Sequence, residues 1–396
     1  MAASSSVRRT FIFDSLRRSF QGTLDSMFMG ISLLIAIRFF HAPSTWKAFL
    51  VSLCWIGGIF SPWVVQWASR CKLSATQMGG CLFLGTGLCF FAAACMRSFP
   101  VSRIRLSLAS VFYRSEGPIV ITMYVHNYPS ARRATYFSIA MTFSALQCAL
   151  FSQLSGFLLD IDLNYYTYLL AFVALCSFFG AICLFFISSP RMERPKEMDG
   201  HYLHYLWKDR KFALLTFYFF LTGVAYQMLI PMRIEYLANV RYGMNLSNLS
   251  VLFLSLLIPN AARIITAPLL GKLFDHLPMI SMRILVSLFI LCGYWIFFHG
   301  TNVFLIALGS MLLGMAMAGS FILHSFWISR IVDEEKVPAY MAVYALVAGV
   351  RSILAPMFGY LILSVSSPTA VANVGLVFVL IAIIGFWCMR HDPTIR

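Results

Sequence analysis

Apolar residues gather in twelve runs of about twenty residues or more, separated by short polar breaks. A helix that crosses about 30 Å of hydrocarbon at 1.5 Å per residue needs roughly 20 such residues, so each run predicts one spanning helix. In the first half the runs cover 21–41, 46–67, 75–96, 103–127, 135–159 and 165–188. In the second half they cover 212–237, 249–273, 279–299, 302–328, 338–364 and 370–390. The longest polar stretch, 189–211, is rich in charge, begins near Pro190 and falls between the two sets of six. The pattern therefore predicts an N-terminal tail over 1–20, a six-helix bundle over 21–188, a linker over 189–211, a second six-helix bundle over 212–390 and a C-terminal tail over 391–396.

Composition fits a chain dissolved in lipid. Hydrophobic residues make up 60% of it, charged residues 11%, and the mean hydropathy is +0.80. A water-soluble domain is nearer half apolar and a quarter charged, so a soluble fold is excluded. The ten cysteines are scattered singly, as at Cys54, Cys89, Cys148, Cys183 and Cys292, without a CxxC pair. They read as small apolar side chains within helices.

The net charge of +15 does not point to nucleic acid, because the basic residues are sorted by loop. With the N-terminus placed in the cytoplasm, 20 of the 30 Lys and Arg fall in inner segments. These include Arg8, Arg9, Arg17 and Arg18 of the tail and Arg283 near the start of the ninth run, counted with the inner loop. Six fall outside, Arg38 and Lys47 among them, and four lie within the runs. This asymmetry predicts both termini in the cytoplasm. A plasma membrane location is expected.

The halves repeat one another. Ser61-Pro62 ahead of Ser69-Arg70 matches Ala267-Pro268 ahead of Asp275-His276 at an offset of 206. Gly156-Phe-Leu-Leu matches Gly359-Tyr-Leu-Ile at 203, and Arg38 matches Arg233 at 195. Six helices followed by six similar ones imply an all-α membrane protein of about twelve transmembrane helices in two pseudo-symmetric bundles.

On these residues the chain resembles the major facilitator superfamily over essentially its whole length. The nearest local match is Gly271-Lys-Leu-Phe-Asp275-His276, where the family carries a Gly-x-x-x-Asp-Arg/Lys loop. The first-half copy has Val65 for Gly and Ser69 for Asp but retains Arg70 and Lys72. The resemblance implies gating roles for Gly271, Asp275 and Arg70, with Gly271 letting helices approach closely. Glu116-Gly117-Pro118, Tyr128-Pro129 and Arg132-Arg133-Ala134 resemble the anion:cation symporters of that family.

Charged residues inside the runs cost a few kcal/mol each on insertion scales, which makes them functional candidates. Arg114 and Glu116, two residues apart in the fourth run, cannot face each other. Arg114 is read as holding an anionic group and Glu116 as taking a proton, against an ion-pair network between helices. Arg38 and Arg233 could form a clamp for a carboxylate or phosphate, or snorkel to an interface beside Glu235. Arg351, Arg263 and Asn260, after Pro259, are further substrate-binding candidates. Asp25 and His324 join Glu116 as proton-coupling candidates, with a gate partner for a basic residue or plain interface exposure as the alternatives for Asp25 and a neutral, structurally bonded histidine as that for His324. His201 and His204 lack further ligands, so no metal is expected.

No Walker loop, GxSxG or HExxH motif is present, and the loops are too short for a soluble catalytic domain, so an enzyme and an organic cofactor are not expected. Counting Arg38 with the four arginines inside the runs, five arginines within the membrane stand against Asp25, Glu116 and Glu235. The expectation is a monomeric secondary active transporter moving a small solute, an organic anion, with a proton or other ion coupled. A multidrug exporter of lipophilic cations and a non-transporting sensor of the same fold are the alternatives.

Overall fold

The computed structural model describes residues 2–95, 99–129, 133–192, 204–242, 244–332 and 337–390. The C-terminal tail, His201 and Arg132 lie outside them. Among the described residues the chain is helical from end to end, with no strand. Ten helical segments have the length and hydropathy to cross a membrane. The remaining two expected spans are also helical, which completes twelve.

The first helix, α1, runs from Ala2–Ser26 through a π turn at Met27–Ile31 into Ser32–Arg38. It is followed by α2 (Ser44–Arg70) and α3 (Ala75–Cys95). Helix α4 consists of Phe99–Arg114 and Gly117–Asn127; α5 is Arg133–Ile161 and α6 is Tyr166–Phe185. In the second half α7 is Arg210–Ala238, and α8 passes from Asn248–Leu252 through a π turn at Phe253–Leu257 into Ile258–His276. The last four are α9 (Met279–His299), α10 (Val303–Phe326), α11 (Val337–Val365) and α12 (Pro368–Met389).

Two compact units divide the chain. The first is Met1–Ala42, Phe49–Met198 and Ser247–Leu252; the second is Pro43–Ala48, Asp199–Leu246 and Phe253–Arg396. Each therefore takes a short first turn from a helix that otherwise belongs to the other. Within the first unit α1 packs on α5 and α6, and α3 packs on α4 and α6. Within the second, α7 packs on α11 and α12, and α9 packs on α10 and α12. Every one of these pairings recurs six helices later, which is the internal repeat expressed as packing.

Two departures from the expected elements follow from local chemistry. Residues 2–20, expected as a tail, belong to α1, and Asp14, Arg17 and Arg18 are buried. The positive charge of Arg17 and Arg18 marked them as solvent-facing, but each finds partners three or four residues away on the helix. Arg17 Nε and Nη2 donate to Asp14 Oδ1 at 3.1 and 2.7 Å, and Nη1 donates to Gln21 Oε1 at 3.0 Å. Those spacings place the groups on one helical face. The fourth span, expected to be continuous, is broken at Ser115 and Glu116. Pro118, at the start of the second piece, has no N–H to continue the helical ladder.

Glycines serve close approach at the repeated positions. A Cβ on Gly156 of α5 would sit 2.7 Å from Leu249 Cα, and one on Gly359 of α11 would sit 2.6 Å from Met228 Cγ. Both values are below real contact distances, so the repeated glycine is a packing requirement in each unit. The outward faces are apolar, with Phe157, Trp295, Leu361 and Ile384 all more than half exposed. Large apolar surface of this kind belongs in hydrocarbon, so the protein is an integral multi-pass membrane protein.

Candidate functional site

In the first unit, charged groups concentrate where α1 meets the break in α4. Arg17 Nη1 donates to Glu116 Oε1 at 2.6 Å, in addition to its bonds to Asp14. Both side chains are almost fully buried. Tyr124 donates from its hydroxyl to Asp14 Oδ2 at 2.6 Å, and Arg18 donates to the Tyr124 oxygen at 3.3 Å. Two arginines thus face two carboxylates, and the cluster is neutral. Glu116, read from sequence as a proton carrier, has a fixed cation as its neighbour. Asp14, Arg17 and Arg18 escaped the sequence reading because they were assigned to the tail; the i, i+3 pairing of Asp14 with Arg17 was the available signal.

Asp25, further along α1, has a different environment. Tyr113 donates to Asp25 Oδ1 at 2.7 Å and Ser144 donates to Oδ2 at 3.2 Å. Among the described residues Asp25 makes no ion pair. Arg114, beside the break, does not join Glu116: its guanidinium lies 4.5 Å from the Trp55 ring centroid and 5.4 Å from that of Tyr113. Cation–π contact of this kind stabilises a guanidinium without a carboxylate. Arg38 lies in the field of Asp160, within the same unit. The Asp160 carboxylate also accepts from the backbone N–H groups of Asn248 and Leu249, at 2.7 and 2.9 Å.

The second unit holds a site of opposite character. Arg351 of α11 donates to the Phe219 carbonyl oxygen of α7 at 3.1 Å and bonds Tyr344. Its guanidinium occupies the space that a side chain at Gly223 would fill. Arg283 of α9 is buried, donates to the Thr222 hydroxyl and lies 4.2 Å from the Phe219 ring centroid. The two guanidiniums repel one another, and neither makes an ion pair among the described residues. The Nε atoms of both are buried without a hydrogen-bond partner there. His324 bonds the Tyr344 hydroxyl through Nδ1 at 3.0 Å, at the edge of this pair. Arg283 was assigned to an inner loop by the sequence reading; its place five residues into an apolar run was the signal against that.

Further along α7, Arg233 is buried and its Nε and Nη1 have no hydrogen-bond partner among the described residues. Arg233 and Arg263 of α8 both act electrostatically on the Tyr226 hydroxyl. The acid nearest in sequence, Glu235, is engaged elsewhere: it pairs with Lys47 and accepts from Tyr360 at 3.0 Å and from Asn239 at 2.8 Å. Arg38 and Arg233 fall in different units, and each is described only within its own. Asn260 donates to the Leu256 carbonyl of its own helix at 2.8 Å, satisfying backbone beside Pro259. Of the gating candidates, Gly271 has nothing within contact distance of a side chain placed there, Arg70 is exposed, and the Asp275 side chain lies outside the described residues.

The sequence matches the Major Facilitator Superfamily over residues 19–300 and 262–396. The chain belongs to this superfamily. Solved structures of the same fold include the nucleoside transporter NupG, with TM-score 0.75 and 12% identity over 97% of this chain and 99% of that one. A bacterial homolog of the human lysosomal transporter Spinster, inward-facing and unoccupied, gives TM-score 0.68 and 13% identity over 98% and 96%. A D-xylose-proton symporter gives 0.64 and 11% over 98% and 96%. No curated protein matches in sequence. At these identities the solved structures establish the superfamily's transporter fold.

Proposed function

We propose that this superfamily member is a secondary active transporter for a small organic anion, coupled to protons. One observation carries the anion assignment: Arg283 and Arg351 lie together in the second unit with no acidic partner among the described residues. Two uncompensated guanidiniums in a low-dielectric setting call for a counter-charge, and planar oxyanions match their donor geometry. The neutral cluster around Arg17 supports the same reading, since the cations of the first unit there already have acids. The coupling proton is assigned to Asp25, whose two hydroxyl donors leave it without a cation. Membership of the superfamily supports alternating access, the loop asymmetry of Lys and Arg supports cytoplasmic termini, and a plasma membrane is the proposed location.

The test is thermal stability of detergent-purified protein with organic anions, lipophilic cations and neutral sugars. A ligand at 100 times its Kd stabilises the native state by about 2.7 kcal/mol. Stabilisation by a carboxylate or phosphate ester that disappears in Arg351→Gln is the expected result. Stabilisation by cations or sugars alone would overturn the anion assignment.

A further inference from the structure

The anion reading leaves more positive charge in the second unit than one acidic group can balance. Arg283 and Arg351 form one unpaired set, and Arg233, with Nε and Nη1 unpartnered, forms another, again with no ion pair among the described residues. The two sets share a single face of α7. Phe219, Thr222, Tyr226 and Arg233 recur at intervals of three, four and seven residues, which is the spacing of one helical stripe. Arg351 docks at Phe219 and Gly223, Arg283 at Thr222, and the fields of Arg233 and Arg263 both act on Tyr226.

The axial rise from Gly223 to Tyr226 is about 4.5 Å, and from Gly223 to Arg233 about 15 Å. Long side chains on a helix lean toward its N-terminus, so the Arg233 guanidinium reaches back from its Cα toward Tyr226. Arg233 and Arg283 are both more than nine-tenths buried and both keep guanidinium nitrogens without partners among the described residues. Leaving such groups unmatched costs free energy in the empty protein, which a bound acidic group at each set removes.

We infer that the solute carries two acidic groups, one at each end, one held by Arg283 and Arg351 and the other by Arg233. This rests on the anion reading and narrows it. A dicarboxylate and a phosphorylated carboxylic acid both have the required chemistry; a monocarboxylate leaves one arginine set unmatched.

The experiment is a binding series on the full-length purified protein. It compares short α,ω-dicarboxylates, 3-phosphoglycerate and monocarboxylates of matched chain length. The solutes with two acidic groups are expected to bind at least tenfold more tightly than the monocarboxylates, and the stronger of the two types identifies the second acidic group. Arg233→Gln should bring the ratio between dicarboxylate and monocarboxylate affinities close to one, whereas Arg233→Lys, which keeps the charge, should restore part of it. Melting temperature, followed in parallel, separates loss of recognition from loss of folding. Equal affinity for both classes in the wild-type protein overturns the two-acid inference while leaving the anion carrier intact. Failure of every anion to bind overturns both.

Discussion

Arg17 and Glu116, ninety-nine residues apart, are joined by a buried ion pair of 2.6 Å that ties α1 to the break in α4. The pair exists because Pro118 interrupts α4 just after Glu116 and because α1 begins early enough to carry Arg17 into the bundle. With Asp14 and Tyr124 it closes a network in which every charge has an opposite neighbour. Such a network costs desolvation to assemble and is strongly destabilised when one member is removed.

Arg17→Met is therefore expected to lower stability by about 3–5 kcal/mol, because it leaves both Asp14 and Glu116 buried without their cation. Glu116→Gln should cost less, since Arg17 keeps Asp14. A chemical or thermal denaturation series on the purified variants measures both. If Glu116→Gln is instead fully stable and loses transport, the residue belongs to the coupling machinery and not to the scaffold.

Much of this was legible in the sequence. The positions of the spanning helices follow from the length of apolar runs, and the repeat was visible in Gly156 and Gly359. The pairing of charges was not, because a hydropathy pattern reads charge as solvent-facing whether or not a neighbour neutralises it. Arg17, Arg18 and Arg283 were all misplaced for that reason, at the ends of runs where solvent and bundle interior look alike. Arg351 was legible as a charge within the bundle because it lies in the middle of an apolar run, where no interface is within reach. Gly271 was read through a family motif, and within its own unit a side chain there would meet open space.

Gly223→Ala tests the seat of Arg351. The added methyl falls where the guanidinium now lies, so the arginine must swing away from Phe219 and Tyr344. The side chain is flexible and the helix gains a better helix former, so folding should be preserved. Anion affinity should fall at least tenfold, about 1.4 kcal/mol. A binding isotherm unchanged from wild type would show that Arg351 does not hold the solute from this position.

Asp25→Asn separates coupling from binding. The amide keeps its size and can still bond Tyr113 and Ser144, so neither melting temperature nor solute affinity should change much. Uptake driven by a pH gradient into proteoliposomes should be lost, while exchange of labelled for unlabelled solute continues. Gradient-driven uptake at the wild-type rate would move the coupling proton to another residue.

Lys47 and Glu235 carry the second buried pair, and it differs from the first in having neutral support. The Glu235 carboxylate also accepts from Tyr360 at 3.0 Å and from Asn239 at 2.8 Å, so it retains two donors when the lysine is removed. Lys47 has no comparable substitute: beyond Glu235 it has the Tyr360 ring, 5.7 Å from its ammonium group. Removing the acid should therefore be worse than removing the base. Glu235→Gln is expected to reduce stability by about 3–5 kcal/mol, Lys47→Met by clearly less, and the double variant by less than the sum. Because both side chains are at most 5% exposed, these differences should persist in high salt, where a solvent-exposed pair would be screened. A double-mutant cycle at two salt concentrations reads all three quantities, and a coupling energy that vanishes at high salt would mean that water reaches the pair.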